Sequence, residues 1–185
     1  LDRDGCNEIN DFFTEYNFEQ KVEYAHSAEG TNYRIIAGDD EKEKSIFFRR
    51  KDVDVPIPFV EESMGNQNLL RLLPAFLYVL KKGGMLLIDE FSSGFHNQLE
   101  SLMVRYFMQK SKNAQMIFVS HSTNLLSNSI LRPDQEYTVE FHGNEGSSIH
   151  RISSDQPRSA QNVEKMYVSG VFGGIPLYHE VADEN

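Results

Sequence analysis

The sequence is poor in cysteine, in positive charge and in long apolar runs, and each shortage excludes a class of protein. Cys6 is the single cysteine in 185 residues. An internal disulfide and a cysteine-built zinc cluster are therefore excluded, and a reducing, cytoplasmic setting is expected. No apolar run reaches the roughly 18 residues that a membrane helix needs. The longest candidate, Leu69 to Leu80, is interrupted by Arg71 and Pro74. Lys and Arg together number 18 against 28 Asp and Glu, a formal net charge of −10. That balance argues against a surface that coats nucleic acid, although a local basic patch stays open. No basic-then-apolar leader follows Leu1, and no Gly-Lys pair occurs anywhere. The glycine-rich cradle Gly-x-x-x-x-Gly-Lys-Ser/Thr, which wraps nucleotide phosphates, is thus missing from these residues.

What is present suffices for a core: 39% of the residues are hydrophobic, and the length fits one domain, or part of one, at roughly 100–200 residues each. Ile9, Phe12, Phe13 and Tyr16 recur at helical spacing after Asn7. Tyr33 to Ala37 and Ser45 to Arg50 read as a hairpin with the charged tip Asp39 to Glu43. Leu69 to Leu80 predicts a helix buried on more than one side, kinked at Pro74 and ended by Gly83-Gly84. Met85 to Ile88 and Met116 to Val119 are short apolar runs, as in strands covered on both faces. Between them Leu99, Leu102, Met103, Tyr106 and Phe107 form one side of a helix, with Glu100, Arg105 and Lys110 on the other. Strand, helix, strand makes a parallel βαβ unit with a right-handed crossover. A second hairpin, Tyr137 to Phe141 with Ser148 to Ile152, and a short helix near Asn162 to Val168 complete the chain. Asp2-Arg3-Asp4-Gly5 has a calcium-loop look, but Asn7 stands where such a loop needs an apolar residue, and a solvated turn is expected.

The chemistry concentrates at strand ends. Ligands of open α/β sheets sit beyond the carboxyl ends of parallel strands. Met85-Leu86-Leu87-Ile88-Asp89-Glu90 delivers two carboxylates there. The first can hold Mg²⁺ through water and the second can deprotonate an attacking water, the form of a Walker B element with a catalytic Glu. The bland alternative is a strand ending in solvated acids. Ser120-His121-Ser122 ends the neighbouring strand, so His121 is expected on the same rim as Glu90, where an imidazole can bond a terminal phosphate; a structural histidine is the alternative. Glu62-Ser63-Met64-Gly65-Asn66-Gln67 precedes the Leu-rich helix and offers either a phosphate-attracting helix start or an ordinary cap.

Taken in order, Glu62-Ser63-Met64-Gly65, the Leu-rich helix, Asp89-Glu90, Ser92-Ser93-Gly94-Phe95-His96 and Ser120-His121-Ser122-Thr123-Asn124 resemble the second half of an ABC-type ATPase. More narrowly, the pattern is similar to AAA-family ATP-binding proteins of abortive-infection and anti-phage systems, cousins of SMC-like and overcoming-lysogenization-defect ATPases. The resemblance covers roughly residues 45–178. It includes the tail, Asn162 to Tyr167 followed by Gly170-Val171-Phe172-Gly173-Gly174-Ile175-Pro176. It implies an α/β fold: a partial ABC-ATPase, P-loop NTPase-like lobe with a parallel βαβ core and flanking antiparallel hairpins. Residues 1–60 would lead in, residues 61–178 form the C-terminal lobe, and 179–185 a tail.

The resemblance also implies roles. Ser63, Gly65 and Asn66 would form the signature loop against ATP bound to a partner protomer, and Ser93 would belong to the D-loop at a homodimer interface. Asp89 would be the Mg²⁺ ligand, Glu90 the catalytic base and His121 the switch histidine. Three positions depart from the family: Asn66 for Thr, Phe95-His96-Asn97 for Leu-His-Pro, and Ser122 for an acid. These bear on turnover rather than fold. The cofactors implied are ATP and Mg²⁺, and the partners a separate Walker A lobe, a second protomer and a nuclease or toxin effector. The enzymatic reading, ATP hydrolysis in the full protein with this piece alone inactive, competes with a nucleotide-gated clamp whose hydrolysis is vestigial. A Toprim-like metal nuclease is the third reading.

Overall fold

The computed structural model describes residues 6–25, 45–127, 130–157 and 161–175. Two units are distinguished, each with its own contacts. One runs to His96 and adds Tyr106–Val119; the other takes Asn97–Arg105 and the described residues from Ser120 onward.

The first unit begins with α1 (Asn7–Glu15), which buries Ile9, Phe12 and Phe13 along one stripe. β1 (Gln20–Ala25), β2 (Ser45–Arg50) and β3 (Ile57–Pro58) form an antiparallel sheet in that order. β2 therefore takes β1 as its full-length partner, from Gln20 opposite Arg50 to Ala25 opposite Ser45. The expected partner, Tyr33 to Ala37, and the tip Asp39 to Glu43 lie outside the described residues, as do Asp2 to Gly5. β3 is short because Pro56 and Pro58 cannot donate to a ladder.

α2 (Met64–Lys82) is capped by Ser63, whose Oγ accepts the Asn66 N–H at 3.3 Å. It buries Leu69, Leu70, Leu73, Phe76 and Val79, each worth about 1.5–3 kcal/mol when fully removed from water. Pro74 lies inside it on an exposed position. The helix stops at Gly83, where φ is 86° and a Cβ would sit 2.9 Å from the Asn113 carbonyl oxygen. β4 (Gly84–Ile88) and β5 (Ala114–Phe118) then pair in parallel, from Gly84 opposite Ala114 to Ile88 opposite Phe118. Phe76 and Tyr106 stack at 6.0 Å, and Phe12 meets Tyr106 edge-on at 5.2 Å, joining α1, α2 and the end of α3 (Asn97–Lys110) in one aromatic core.

Contrary to the expectation of strands covered on both faces, among the described residues the two parallel strands are covered on one face only. Leu86, Ile88, Met116 and Phe118 are half-buried, whereas Met85, Leu87, Ile117 and Val119 are exposed, Leu87 at 68%. Parallel sheets ordinarily carry elements on both sides; the described residues cover one.

In the second unit, α4 (Asn124–Ser127), the antiparallel hairpin β6 (Tyr137–Phe141) with β7 (Ser147–Arg151), and α5 (Val163–Val168) succeed one another. Asn162 caps α5 through the Lys165 N–H at 2.9 Å. Thr138 Oγ1 donates to the Phe172 carbonyl at 2.7 Å, seating the glycine-rich tail on β6. Among the described residues no helix is long and apolar enough to cross a membrane.

Candidate nucleotide site

The end of β4 is tied to the chain beyond β5 by two backbone bonds. Val119 N–H donates to the Ile88 carbonyl, and Phe91 N–H to the Val119 carbonyl, both at 2.9 Å. Asp89 and Glu90 occupy the step between these bonds. Glu90 is forced into the left-handed region, φ 51°, which costs a non-glycine residue roughly 1–2 kcal/mol. Asp89 Oδ1 accepts the Glu90 N–H at 3.0 Å, and the Glu90 carbonyl accepts the Ser93 N–H at 2.9 Å. A strained residue pinned on both sides is the kind of outlier found at functional sites. Both side chains are exposed.

Phe91 anchors the next turn of chain. It is buried against Phe118 at 4.8 Å and Phe95 at 5.9 Å. The turn Ser92 to Gly94 then lies on the first turn of α2: Asn68 Nδ2 donates to the Ser93 carbonyl at 2.9 Å. At Gly65 a Cβ would stand 2.3 Å from the Gly94 carbonyl oxygen, so the two backbones touch. Ser63, Gly65, Asn66 and Ser93 are thereby gathered at one place.

Beneath this turn is a charge pair that pattern reading missed. Arg50 Nη2 bonds both Glu62 carboxylate oxygens, at 2.7 and 2.8 Å, and the Glu62 side chain is 1% exposed. Glu62 Oε2 also accepts the Ser63 N–H at 2.9 Å and Asn66 Nδ2 at 2.8 Å. The positive end of α2 thus already faces a carboxylate. Asn66 is turned inward to brace it, an alternative use for the residue standing where the family resemblance expects Thr.

His121 belongs to the second unit, two residues past Val119. It is exposed, and its neighbours are fixed by Glu100. Ser120 Oγ donates to Glu100 Oε1 at 3.1 Å; Ser122 Oγ and Asn124 Nδ2 reach Oε2 at 2.9 and 3.3 Å. Glu100, grouped by sequence with Arg105 and Lys110, is 1% exposed. The helix pattern placed it opposite the apolar stripe, but buried acids follow their donors, and these arrive from twenty residues downstream. The alternation Ser120, Ser122, Asn124 is the signal that would have found it.

Among the described residues no group of three or more His, Cys, Asp and Glu could hold a metal ion. Mg²⁺ takes one or two carboxylates and fills its remaining positions with water and phosphate oxygens, and the exposed Asp89 carboxylate could supply one of them.

No curated protein matches the sequence. The fold is similar to a solved structure described as "Structural biochemistry of ATP-driven dimerization and DNA stimulated activation of SMC ATPases". The TM-score is 0.57 at 13% identity, covering 89% of this chain and 89% of that one. A family model matches residues 7–127, a span reaching from α1 to α4 and including the Asp89-Glu90 turn and His121. An ATPase-type nucleotide-binding function is supported, and the chain belongs to the family described as "AAA domain, putative AbiEii toxin, Type IV TA system".

Proposed function

We propose that this chain is the C-terminal portion of an ABC-type ATPase that binds and hydrolyses ATP between two protomers. The observation that carries the reading is the turn after β4, where Asp89 and Glu90 leave a parallel strand and Glu90 is held in the left-handed region by bonds on either side. Asp89 would hold Mg²⁺ through water. Magnesium, when bound, offsets charge on the β- and γ-phosphates. Glu90 takes a proton from the attacking water, whose oxygen bonds to the γ-phosphorus as the bridge to ADP breaks. His121 donates to the γ-phosphate. The signature turn at Ser63, Gly65 and Asn66, with Ser93 beside it, approaches the nucleotide of the other protomer.

A Walker A lobe completes the site. The exposed apolar face of Met85, Leu87, Ile117 and Val119 supports that, because a parallel pair lacking cover on one side fits further core elements packing there. In the cell, turnover would regulate a nuclease or toxin effector in phage defence. The inward engagement of Asn66 favours a second reading, a nucleotide-gated clamp with vestigial hydrolysis.

Glu90→Gln in the protein carrying its Walker A lobe separates the two. For the enzyme, phosphate release falls by at least about 100-fold and an ATP-bound dimer accumulates in light scattering. Unchanged phosphate release from the variant removes Glu90 as base and leaves the clamp.

A further inference from the structure

We propose that Glu100 is the positioning residue for His121, with Glu164 as its second support. This rests on the reading of His121 as a phosphate-facing group. The segment Ser120–Asn124 has no regular hydrogen-bonded structure until α4 starts, so its shape must come from side chains. Glu100 takes a donor from every second residue of the segment, Ser120, Ser122 and Asn124. Ser120 and Ser122 are thus both engaged by one carboxylate, while His121 between them is exposed. The serine hydroxyls also receive backbone donors: Ser122 N–H reaches Ser120 Oγ at 3.0 Å, and Asn124 N–H reaches Ser122 Oγ at 3.3 Å.

The remaining residue is held from α5. Thr123 Oγ1 donates to Glu164 Oε1 at 2.8 Å. Asn124 Nδ2 also contacts the Asn97 carbonyl and Ser101 Oγ, which fastens the segment to the helix bearing Glu100. Two helices therefore fix four of the five residues, and only the imidazole is left outward. Charge-assisted bonds to a buried carboxylate are roughly twice as strong as neutral ones, and misplacing a catalytic group by about 1 Å can cost 100-fold in rate. This assigns α5, which has no part in the proposed chemistry, the task of setting the switch segment.

The test has two arms. Amide hydrogen exchange on the chain reads the clamp without nucleotide: Glu100→Ala speeds exchange of residues 120–124 by at least about tenfold while the β4 and β5 amides keep their rates. Glu100→Gln, which retains an acceptor, lies between. Steady-state hydrolysis by the ATPase with its Walker A lobe reads the consequence. Glu100→Ala lowers kcat about tenfold or more at a KM for ATP within about twofold, and adds nothing further in a His121→Ala background. Unchanged exchange at 120–124 overturns the proposal. So does an equal loss from Glu100→Ala with and without His121, which would make Glu100 independent of the imidazole. Full turnover in His121→Ala overturns both this assignment and the histidine's role, whereas a slow His121→Ala with an additive Glu100→Ala overturns the assignment alone. If Glu100→Ala does not fold, Ser122→Ala and Glu164→Ala carry the same two arms with smaller effects in the same direction.

Discussion

Gly65 and Gly94 meet backbone to backbone: a Cβ on Gly65 would lie 2.3 Å from the Gly94 carbonyl oxygen, and one on Gly94 would lie 3.3 Å from the Gly65 nitrogen. Together with the Asn68–Ser93 bond, this contact fastens the turn after Glu90 to the first turn of α2. Gly65 therefore has a structural duty inside its own chain, apart from any approach to a nucleotide.

Gly65→Ala tests that duty. No real Cβ tolerates a backbone oxygen at that distance, so the turn must move off α2. The expected destabilisation is about 1–3 kcal/mol, the usual cost of forcing extra atoms into a packed site. It would be read as a lower urea midpoint with the slope unchanged. A midpoint equal to that of the parent protein would show that the turn shifts freely and that the contact is incidental. Gly94 carries a second constraint, φ 77°, so Gly94→Ala is expected to be unfavourable even where space allows.

Arg50 and Glu62 make a pair in which only one partner is wet. The Arg50 side chain is 40% exposed and the Glu62 side chain 1%. Removing the arginine leaves a buried carboxylate with two neutral donors, the Ser63 N–H and Asn66 Nδ2. The expected cost of Arg50→Ala is about 3 kcal/mol, the low end for breaking such a pair, because water can reach the vacated side. The double variant Arg50→Ala, Glu62→Gln should recover much of it by removing the stranded charge. Equal stability of single and double variants would mean that the lost packing of Arg50, not the uncompensated charge, sets the cost.

The apolar periodicity of Leu69 to Leu80 and the run Tyr137 to Phe141 made the long helix and the second hairpin legible, because local spacing decides them. Asp89-Glu90 at a strand end was legible for the same reason. What escaped were the groups whose environment is built from afar. Glu100 reads as a surface acid until Ser120, Ser122 and Asn124 are folded onto it. Arg50 and Glu62 look like ordinary surface charges twelve residues apart, yet pair across the sheet and helix start. β1 went unrecognised as the partner of β2: Val22 and Tyr24 alternate with Lys21 and Glu23, but only those two large apolar positions mark the run, and its register is set by the neighbouring strand. The open face of β4 and β5 was misjudged for the opposite reason: an apolar run reports what a strand can pack against, not what this chain supplies.

Glu136 is 8% exposed at the entrance to β6, and burial pushes its carboxyl up to about 7. The folded form therefore holds a proton that the unfolded chain, near 4.5, releases. Between those values the native state binds more protons than the unfolded one, so stability declines as pH rises through the window and is fully restored below it. Glu136→Gln, which stays neutral, removes the dependence. It should match the parent protein at about pH 4.5 and exceed it by on the order of 2–3 kcal/mol at pH 8. Thermal melts of the two proteins at half-unit pH steps read this directly, since every other carboxylate titrates alike in both. A constant difference across that range would mean that Glu136 stays ionised in the fold with a partner that burial alone does not reveal.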